Sequence, residues 1–411
     1  MADRKIKLQK RILLLSFLAY TLAYTLRVNI AVAIPVLVKE RAVTYTQMGW
    51  VNSLYFIFYM GGQLLNGYLG DHVNSKALVI SGLLFSALCN LGVAFAPSFI
   101  LLAACWSLNG LAQSMLWAPL IKTLSLWFYD FQLERVSFIM SLSTVIGYAL
   151  SWGVSSILLK HVGFLSVFYI PAVLVLLFSL VMILFFQSNP DHTLFVPTQP
   201  IAQNEKAKLP VGQFLRLIHV PSLLLVALSQ GMIREGISVW FPTLISESGY
   251  FPEGSPFIIL VIVPFTNLCG ILFVRHVSRY LKHDSLKTLL FVFMLITGLA
   301  LLLNLEIPSF GLILLLMVLL LALTYGLSPI LTSAIPFQYV SFQYVSLLAG
   351  LIDFSIYMGA AVSSAISGKI ADHHPWNRVM LLWLIAAVVG LAVAAWRFFL
   401  DLNQQNKDLS A

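Results

Sequence analysis

The sequence predicts an all-α membrane protein, with twelve transmembrane helices in two pseudo-symmetric six-helix bundles. Three observations lead there. Of the 411 residues, 60% are hydrophobic and only 10% charged, and the mean hydropathy is +0.92. A soluble chain carries about 25% charged residues. Apolar runs of roughly 20 residues, the length that crosses a bilayer as a helix, recur along the whole chain. Finally, the pattern R-x-x-I-x-V-x-x-P occurs twice, at Arg27–Pro35 and Arg234–Pro242, 207 residues apart and once in each half.

The first six spans are read at 11–37, 46–69, 77–95, 98–121, 136–158 and 163–186. The basic N-terminus followed by an apolar run looks like a signal peptide. That run continues well past 15 residues with no small-residue cleavage site, so it is expected to be a retained first helix. Residues 187–213 are polar and hold Pro190, Pro197, Pro200 and Pro210, the composition of a linker. The second six spans are read at 218–246, 255–275, 285–304, 309–333, 344–367 and 377–399, and the uniformly apolar run Leu312–Leu323 is expected to face lipid in part. The expected domains are therefore an N-terminal bundle 1–186, a cytoplasmic linker 187–213 and a C-terminal bundle 214–411.

The net charge of +8 does not imply a nucleic-acid partner, because the basic residues sit in short loops beside apolar runs. With the N-terminus inside, 17 Lys and Arg fall in inside segments and 5 in outside ones, the other two of the 24 being Arg27 and Arg234. This asymmetry puts both termini in the cytoplasm of a multi-pass protein of the cell (inner) membrane. Cys89, Cys105 and Cys269 all fall inside apolar runs, and His373 and His374 adjoin in a loop. No disulfide framework or metal-ligand spacing results, and neither a metal nor a cofactor is expected. No nucleophile–base pair is visible, so the chain does not read as an enzyme.

An Arg at the bilayer centre costs at least ~2.5 kcal/mol and faces a cavity or a partner. Two such residues at matching places predict a pair of cations facing a central cavity that receives an anion. Two six-helix halves related by a sequence repeat describe a secondary transporter with its site between the halves. No ATP-binding Gly-rich lysine loop is present, so gradients supply the energy. The guanidinium suits phosphate because it offers parallel hydrogen bonds in one plane. The structural alternative is that each Arg is neutralised by a carboxylate such as Glu235 or Asp353.

Tyr20 and Tyr24 precede Arg27 by seven and three residues and share its helix face. They either donate hydrogen bonds to the anion or pack. The same two readings hold for Tyr325 and Tyr357, and for Trp117 and Trp240 as cavity walls. Asp353 has no cationic neighbour in sequence. It pairs with Arg234, selects a positively charged substrate group, carries a proton, or serves structure alone. Glu235 points about 100° away from Arg234 around the helix, and either orients that Arg or carries a coupling proton. Asn29 is expected to bond a neighbouring helix. Lys122 either snorkels or joins an inside gate. Ser363, Ser364 and Ser367 permit close helix packing.

These residues carry a family resemblance. The first span holds Arg27-x-Asn29 and Ala33-x-Pro35. The fourth holds Gly110-x-x-Gln113-x-x-x-Trp117-x-Pro119, then Lys122 and Trp127, followed by Glu134-Arg135. The seventh holds Arg234-x-Gly236-Ile237-x-x-Trp240-x-Pro242-Thr243, and the eleventh Gly350, Tyr357, Gly359 and Gly368. A worn loop signature, Gly67-x-x-x-Asp71 closed by Lys76, lies between spans two and three, where Asp71 caps or pairs at the cytoplasmic face. The chain thus resembles the major facilitator superfamily and, within it, the organophosphate:phosphate antiporters of the glycerol-3-phosphate and hexose-phosphate type. The resemblance implies Arg27 and Arg234 as the phosphate-binding pair, places Gln113 near the site, and implies exchange of a phosphorylated metabolite for inorganic phosphate by a monomer. Two departures matter. The family's helix-5 histidine aligns with Val145 and its helix-2 lysine with Gln63, which leaves the ester open. Two rival readings remain: a proton-coupled symporter of small carboxylate anions, with Asp353 or Glu235 carrying the proton, and a transporter-like sugar-phosphate sensor.

Overall fold

The fold is known from a computed structural model that describes residues 2–41, 43–190, 212–213, 219–248, 257–305, 309–338 and 345–410. Among these, every regular element is a helix. In chain order they are α1 (Ala2–Thr25), α2 (Asn29–Arg41), α3 (Tyr45–His72), α4 (Ser75–Ala94), α5 (Phe99–Gln113), α6 (Trp117–Trp127), α7 (Asp130–His161) and α8 (Ser166–Phe185). After the linker come α9 (Val220–Glu247), α10 (Phe257–Tyr280), α11 (Ser285–Leu303), α12 (Phe310–Pro329), a π-helical turn (Ile330–Ala334), α13 (Ile335–Phe337), α14 (Val345–His373) and α15 (Trp376–Ser410). The predicted linker lies largely outside the described residues.

Eleven helical stretches among the described residues are long and apolar enough to cross a membrane, with Arg4–Glu40 and Phe99–Trp127 each counted as one. α3 is 28 residues long and is not among the eleven; it carries Asn52, Gln63 and Asn66. With α3 included, twelve spans follow the order read from the sequence. The backbone explains the class, because a bilayer core holds no water to satisfy N–H and C=O groups, and a helix satisfies them internally.

Local chemistry sets the helix ends. The side chains of Asn74, Ser98 and Asp284 accept the amides of Lys76, Leu101 and Lys287 at 2.8, 3.4 and 3.0 Å, starting α4, α5 and α11. Beyond α7, Gly163 turns the chain at φ +106, a conformation that a side chain would strain.

Two compact units result. The first comprises residues 1–43, 54–202 and 245–265. There α1 packs along α7, and α4 along α5 and α8. Gly147 of α7 meets Tyr24 and the Thr21 carbonyl, and Gly110 of α5 meets the Tyr55 carbonyl, so the helix axes approach closely. The second unit comprises 44–53, 203–244 and 266–411, with α11 packed between α12 and α15. Gly231 of α9 lies against the Ile356 carbonyl of α14, and Gly359 of α14 against the Leu228 carbonyl of α9. Residues 44–53 join this unit through α14. Both carboxylate oxygens of Asp372 accept from the first turn of α3, from the Tyr45 and Thr46 amides at 2.8 and 2.7 Å. Ser53 donates to the Ala361 carbonyl at 2.8 Å, and Gly49 abuts Ser364 and Gly368.

Two predicted spans prove discontinuous. The first breaks at 26–28 into α1 and α2, and the fourth at 114–116 into α5 and α6. The π turn likewise interrupts the tenth span. Pro119 and Pro329 lack the N–H that an unbroken helix would give to Met115 and Tyr325, which favours the last two interruptions. The first has another cause.

Candidate functional site

In the first unit the site is built around the break that carries Arg27. At the break the amides bond at short range: Leu26 to the Ala23 carbonyl (3.1 Å), and Arg27 and Val28 to that of Tyr24 (3.1 and 3.2 Å). Carbonyls that lose their regular partners must be satisfied by other groups. The Leu26 carbonyl accepts from the side-chain amides of Asn90 (3.0 Å) and Asn109 (2.8 Å). That of Ala23 accepts from Gln113 at 3.0 Å. Ser86 ties the group together, donating to Asn109 at 2.6 Å and accepting from Gln113 at 2.8 Å. Asn29 opens α2 and donates to Asn90 (3.0 Å) and to the Val167 carbonyl (3.1 Å). All five side chains are buried. Three helices thus hold one interrupted turn in place.

From that turn Arg27, 7% exposed, lies over two aromatic faces. Its guanidinium carbon is 4.5 Å from the Tyr59 ring centre and 5.3 Å from that of Tyr24. Each such contact contributes about 1 kcal/mol when partly desolvated. Tyr20 packs on Tyr24 at 5.3 Å and on Trp117 at 4.7 Å, and Tyr24 on Tyr148 at 5.1 Å. The structure therefore brings Tyr20, Tyr24, Trp117 and Arg27 into one cluster. Gln113 directs its amide nitrogen to the Ala23 carbonyl and to Ser86, and so holds the backbone on which Arg27 stands. Tyr59 was missed at the sequence level. Its one signal was Tyr55-x-x-x-Tyr59, two tyrosines one turn apart in an apolar helix.

In the second unit the repeat keeps the residue but not the break, because α9 runs unbroken through Arg234. Glu235 Oε1 accepts from Arg234 Nε at 2.9 Å and lies 2.8 Å from Nη2. This contact fits the readings in which Glu235 orients or neutralises Arg234: despite the offset of about 100°, the Arg side chain is long enough to fold back onto its neighbour's carboxylate. Nη1 donates to Ser328 Oγ at 2.7 Å, and Gln230 Nε2 donates to the Thr324 carbonyl (2.7 Å) and to Ser328 (3.1 Å). The Tyr325 ring lies 5.3 Å from the guanidinium carbon. Ser328 is followed by Pro329 and the π turn, so the interruption of α12 comes directly after the side chain that fixes the Arg. Arg234 and Glu235 are 7% and 5% exposed.

The remaining predicted residues lie as follows. Tyr357 is buried in α14, between the Gly231–Ile356 and Gly359–Leu228 approaches. Asp353 is half-buried one turn earlier, and Lys122 is half-buried in α6. Asp71 is the last residue but one of α3, and its side chain is outside the described residues. Trp240 packs with Tyr45 and Trp376 at 6.0 and 5.9 Å. No group of three or more metal-ligating side chains occurs among the described residues.

The sequence profile of the Major Facilitator Superfamily matches residues 16–352. The chain belongs to that family. It is a multi-pass membrane protein of a transporter superfamily, and the curated proteins similar to it include transporters of phosphorylated compounds and of other organic anions. It is 23% identical to the glycerol-3-phosphate transporter of Bacillus subtilis over 418 aligned residues, which cover 92% of this chain and 90% of the relative. It is 25% identical to the phosphoglycerate transporter protein of Salmonella typhimurium, over 59% of this chain and 57% of the relative. Among solved structures, the nucleoside transporter NupG superposes with a TM-score of 0.74 at 15% identity, over 95% of this chain and 100% of that one. This last likeness shows the superfamily fold alone.

The Ser328 contact makes a prediction. Ser328→Ala removes one hydrogen bond to a charged group, which contributes about 1.5–3 kcal/mol. The KM of the transported substrate is expected to rise about tenfold with protein yield unchanged. Initial-rate uptake in vesicles measures it, and an unchanged KM would show that Ser328 does not set the Arg234 geometry.

Proposed function

We propose that the chain is a secondary active transporter that exchanges a phosphorylated metabolite for inorganic phosphate by alternating access, with Arg27 and Arg234 as its phosphate-binding cations. The observation that carries this reading is the pair of buried guanidiniums, one per sequence repeat, Arg27 over tyrosine rings and Arg234 among Glu235, Ser328 and Tyr325. The chain that holds them aligns over 92% of its length with a glycerol-3-phosphate transporter. A guanidinium offers phosphate paired donors in a fixed plane, strongest where water is scarce. Tyr20, Tyr24, Trp117, Tyr325 and Tyr357 complete the proposed lining, with Gln113 as support. Glu235, Asp353, Asp71 and Lys122 are the proposed coupling and gating groups. The same proposal has the protein act in the cell (inner) membrane as a monomer, with both termini and the 187–213 linker cytoplasmic.

The test is counterflow in proteoliposomes. Phosphate-loaded vesicles should take up labelled phosphate or phosphoester, and uptake should fall to the slower rate of net flux when the lumen holds chloride in place of phosphate. Uptake that follows an imposed pH gradient and ignores internal phosphate would overturn the exchange reading in favour of proton symport.

A further inference from the structure

The mode of exchange proposed above depends on what balances the charge of Arg234, and the structure holds a specific partner for it. The positive charge is met by Glu235, whose single oxygen Oε1 takes both Nε and Nη2 of the guanidinium at 2.9 and 2.8 Å. That is the side edge of the fork, one of the edges on which a carboxylate or phosphate binds through two parallel hydrogen bonds. Both partners are more than nine-tenths buried, so the pair is not screened as a surface ion pair would be. Ser328 holds the opposite nitrogen at 2.7 Å, which fixes the plane of the fork while its side edge is occupied.

The covalent arrangement matters as much as the distance. Glu235 is the next residue on the same unbroken helix as Arg234. A counter-ion supplied by another helix is lost whenever those helices move apart. This one travels with its arginine through any rearrangement of α9. The charge at Arg234 is therefore balanced whether or not cargo is present, and whichever side of the membrane the site faces.

We propose that Glu235 is the empty-state counter-ion of Arg234, competing with the transported anion for the guanidinium and permitting the carrier to reorient without cargo. This rests on the transport reading above and deepens it. A strict exchanger is one whose unloaded form cannot cross, because an unbalanced buried charge makes that passage costly. Here the carboxylate lowers that barrier, so net flux accompanies exchange. The same carboxylate weakens anion binding, because each arriving anion must displace it from the side edge. Removing it therefore moves two observables in opposite senses: anion affinity increases and unloaded return slows.

The experiment compares two rates in proteoliposomes loaded with labelled phosphate: efflux into medium containing unlabelled phosphate, and efflux into anion-substrate-free medium. For the unsubstituted protein, the second rate is expected to stand clearly above that of protein-free vesicles. For Glu235→Gln, the KM for external phosphate is expected to fall, and the ratio of net efflux to exchange to drop about tenfold or more. A merely damaged protein would show a raised KM and both rates reduced together. Glu235→Asp, which keeps the charge on a shorter stem, is expected to retain most of the net efflux and guards against a Gln variant that does not fold. Net efflux of the unsubstituted protein at the protein-free level, or a Gln variant with unchanged KM and ratio, overturns the proposal. Failure of the unsubstituted protein to exchange phosphate or any phosphoester overturns the transport reading instead.

Discussion

Arg27→Lys and Arg234→Lys are each expected to lower the initial rate of phosphate-driven uptake by about a hundredfold or more, with the protein still folded and in the membrane. Lysine keeps the charge, so a site that needed only a positive potential would tolerate the change. It does not keep the fork. At Arg234 the guanidinium bonds Glu235 through one edge and Ser328 through Nη1 at the same time, which a single ammonium cannot reproduce with that spread. At Arg27 the flat guanidinium covers the Tyr59 ring at 4.5 Å, a contact that a compact, strongly hydrated ammonium makes less well. Each hydrogen bond to a charged group contributes about 1.5–3 kcal/mol, and losing two gives a hundredfold or more. Initial-rate uptake, paired with a phosphate-induced thermal shift, measures the effect. Full uptake by both variants would end the assignment of these arginines.

The second large effect is on stability. Gly231→Ala and Gly359→Ala should each destabilise the protein by about 3 kcal/mol or abolish its folded yield. At both positions an added methyl would collide with a backbone carbonyl, that of Ile356 or of Leu228, and neither carbonyl is the end of a flexible side chain. Overpacking of a tight interior costs about 1–3 kcal/mol even where neighbours adjust. These two sites face each other along the α9–α14 seam, so relief at one is blocked at the other. Gly61 and Gly350 serve as controls, because nothing among the described residues lies within 4 Å of an added Cβ at either position. There alanine should be neutral, or stabilising by up to about 1 kcal/mol through backbone entropy. Melting temperature in detergent distinguishes the two pairs. Equal melting temperatures for Gly231→Ala and Gly350→Ala would show that the seam is looser than the backbone contacts imply.

The candidate site was legible in part. The two arginines stood out because a cation inside an apolar run is costly and the pattern around it occurs twice. Tyr20 and Tyr24 followed from helical spacing, and the structure packs them together. Tyr59 did not stand out, since nothing in its own span distinguishes it from the neighbouring Tyr55; only the approach of α3 to the break at Arg27 does. Glu235 was placed by helix geometry on a different face from Arg234. Helix geometry fixes where side chains start and not where a long one ends.

The break at 26–28 was not legible at all. Its sequence, Leu26-Arg27-Val28, contains no proline or glycine, and local propensity favours a continuous helix. The turn is held by amides from Asn90, Asn109 and Gln113, which lie 64 to 90 residues away from the carbonyls they serve. No local window contains both a donor and its acceptor.

By itself the sequence determined the solvent of this protein, the number and order of its spans, and the residues where charge enters the membrane. Those properties are sums over composition and hydropathy along short windows, and a bilayer leaves helices as the way to satisfy the backbone of such spans. The carboxylate beside Arg234 is a sequence feature, since Glu235 stands where the first copy has Val28. Tertiary structure decided the rest of each arginine's surroundings: an interrupted helix and the Tyr59 face for Arg27, an intact helix and Ser328 for Arg234. Those contacts are made by atoms distant in sequence, whose meeting only the packed helices bring about.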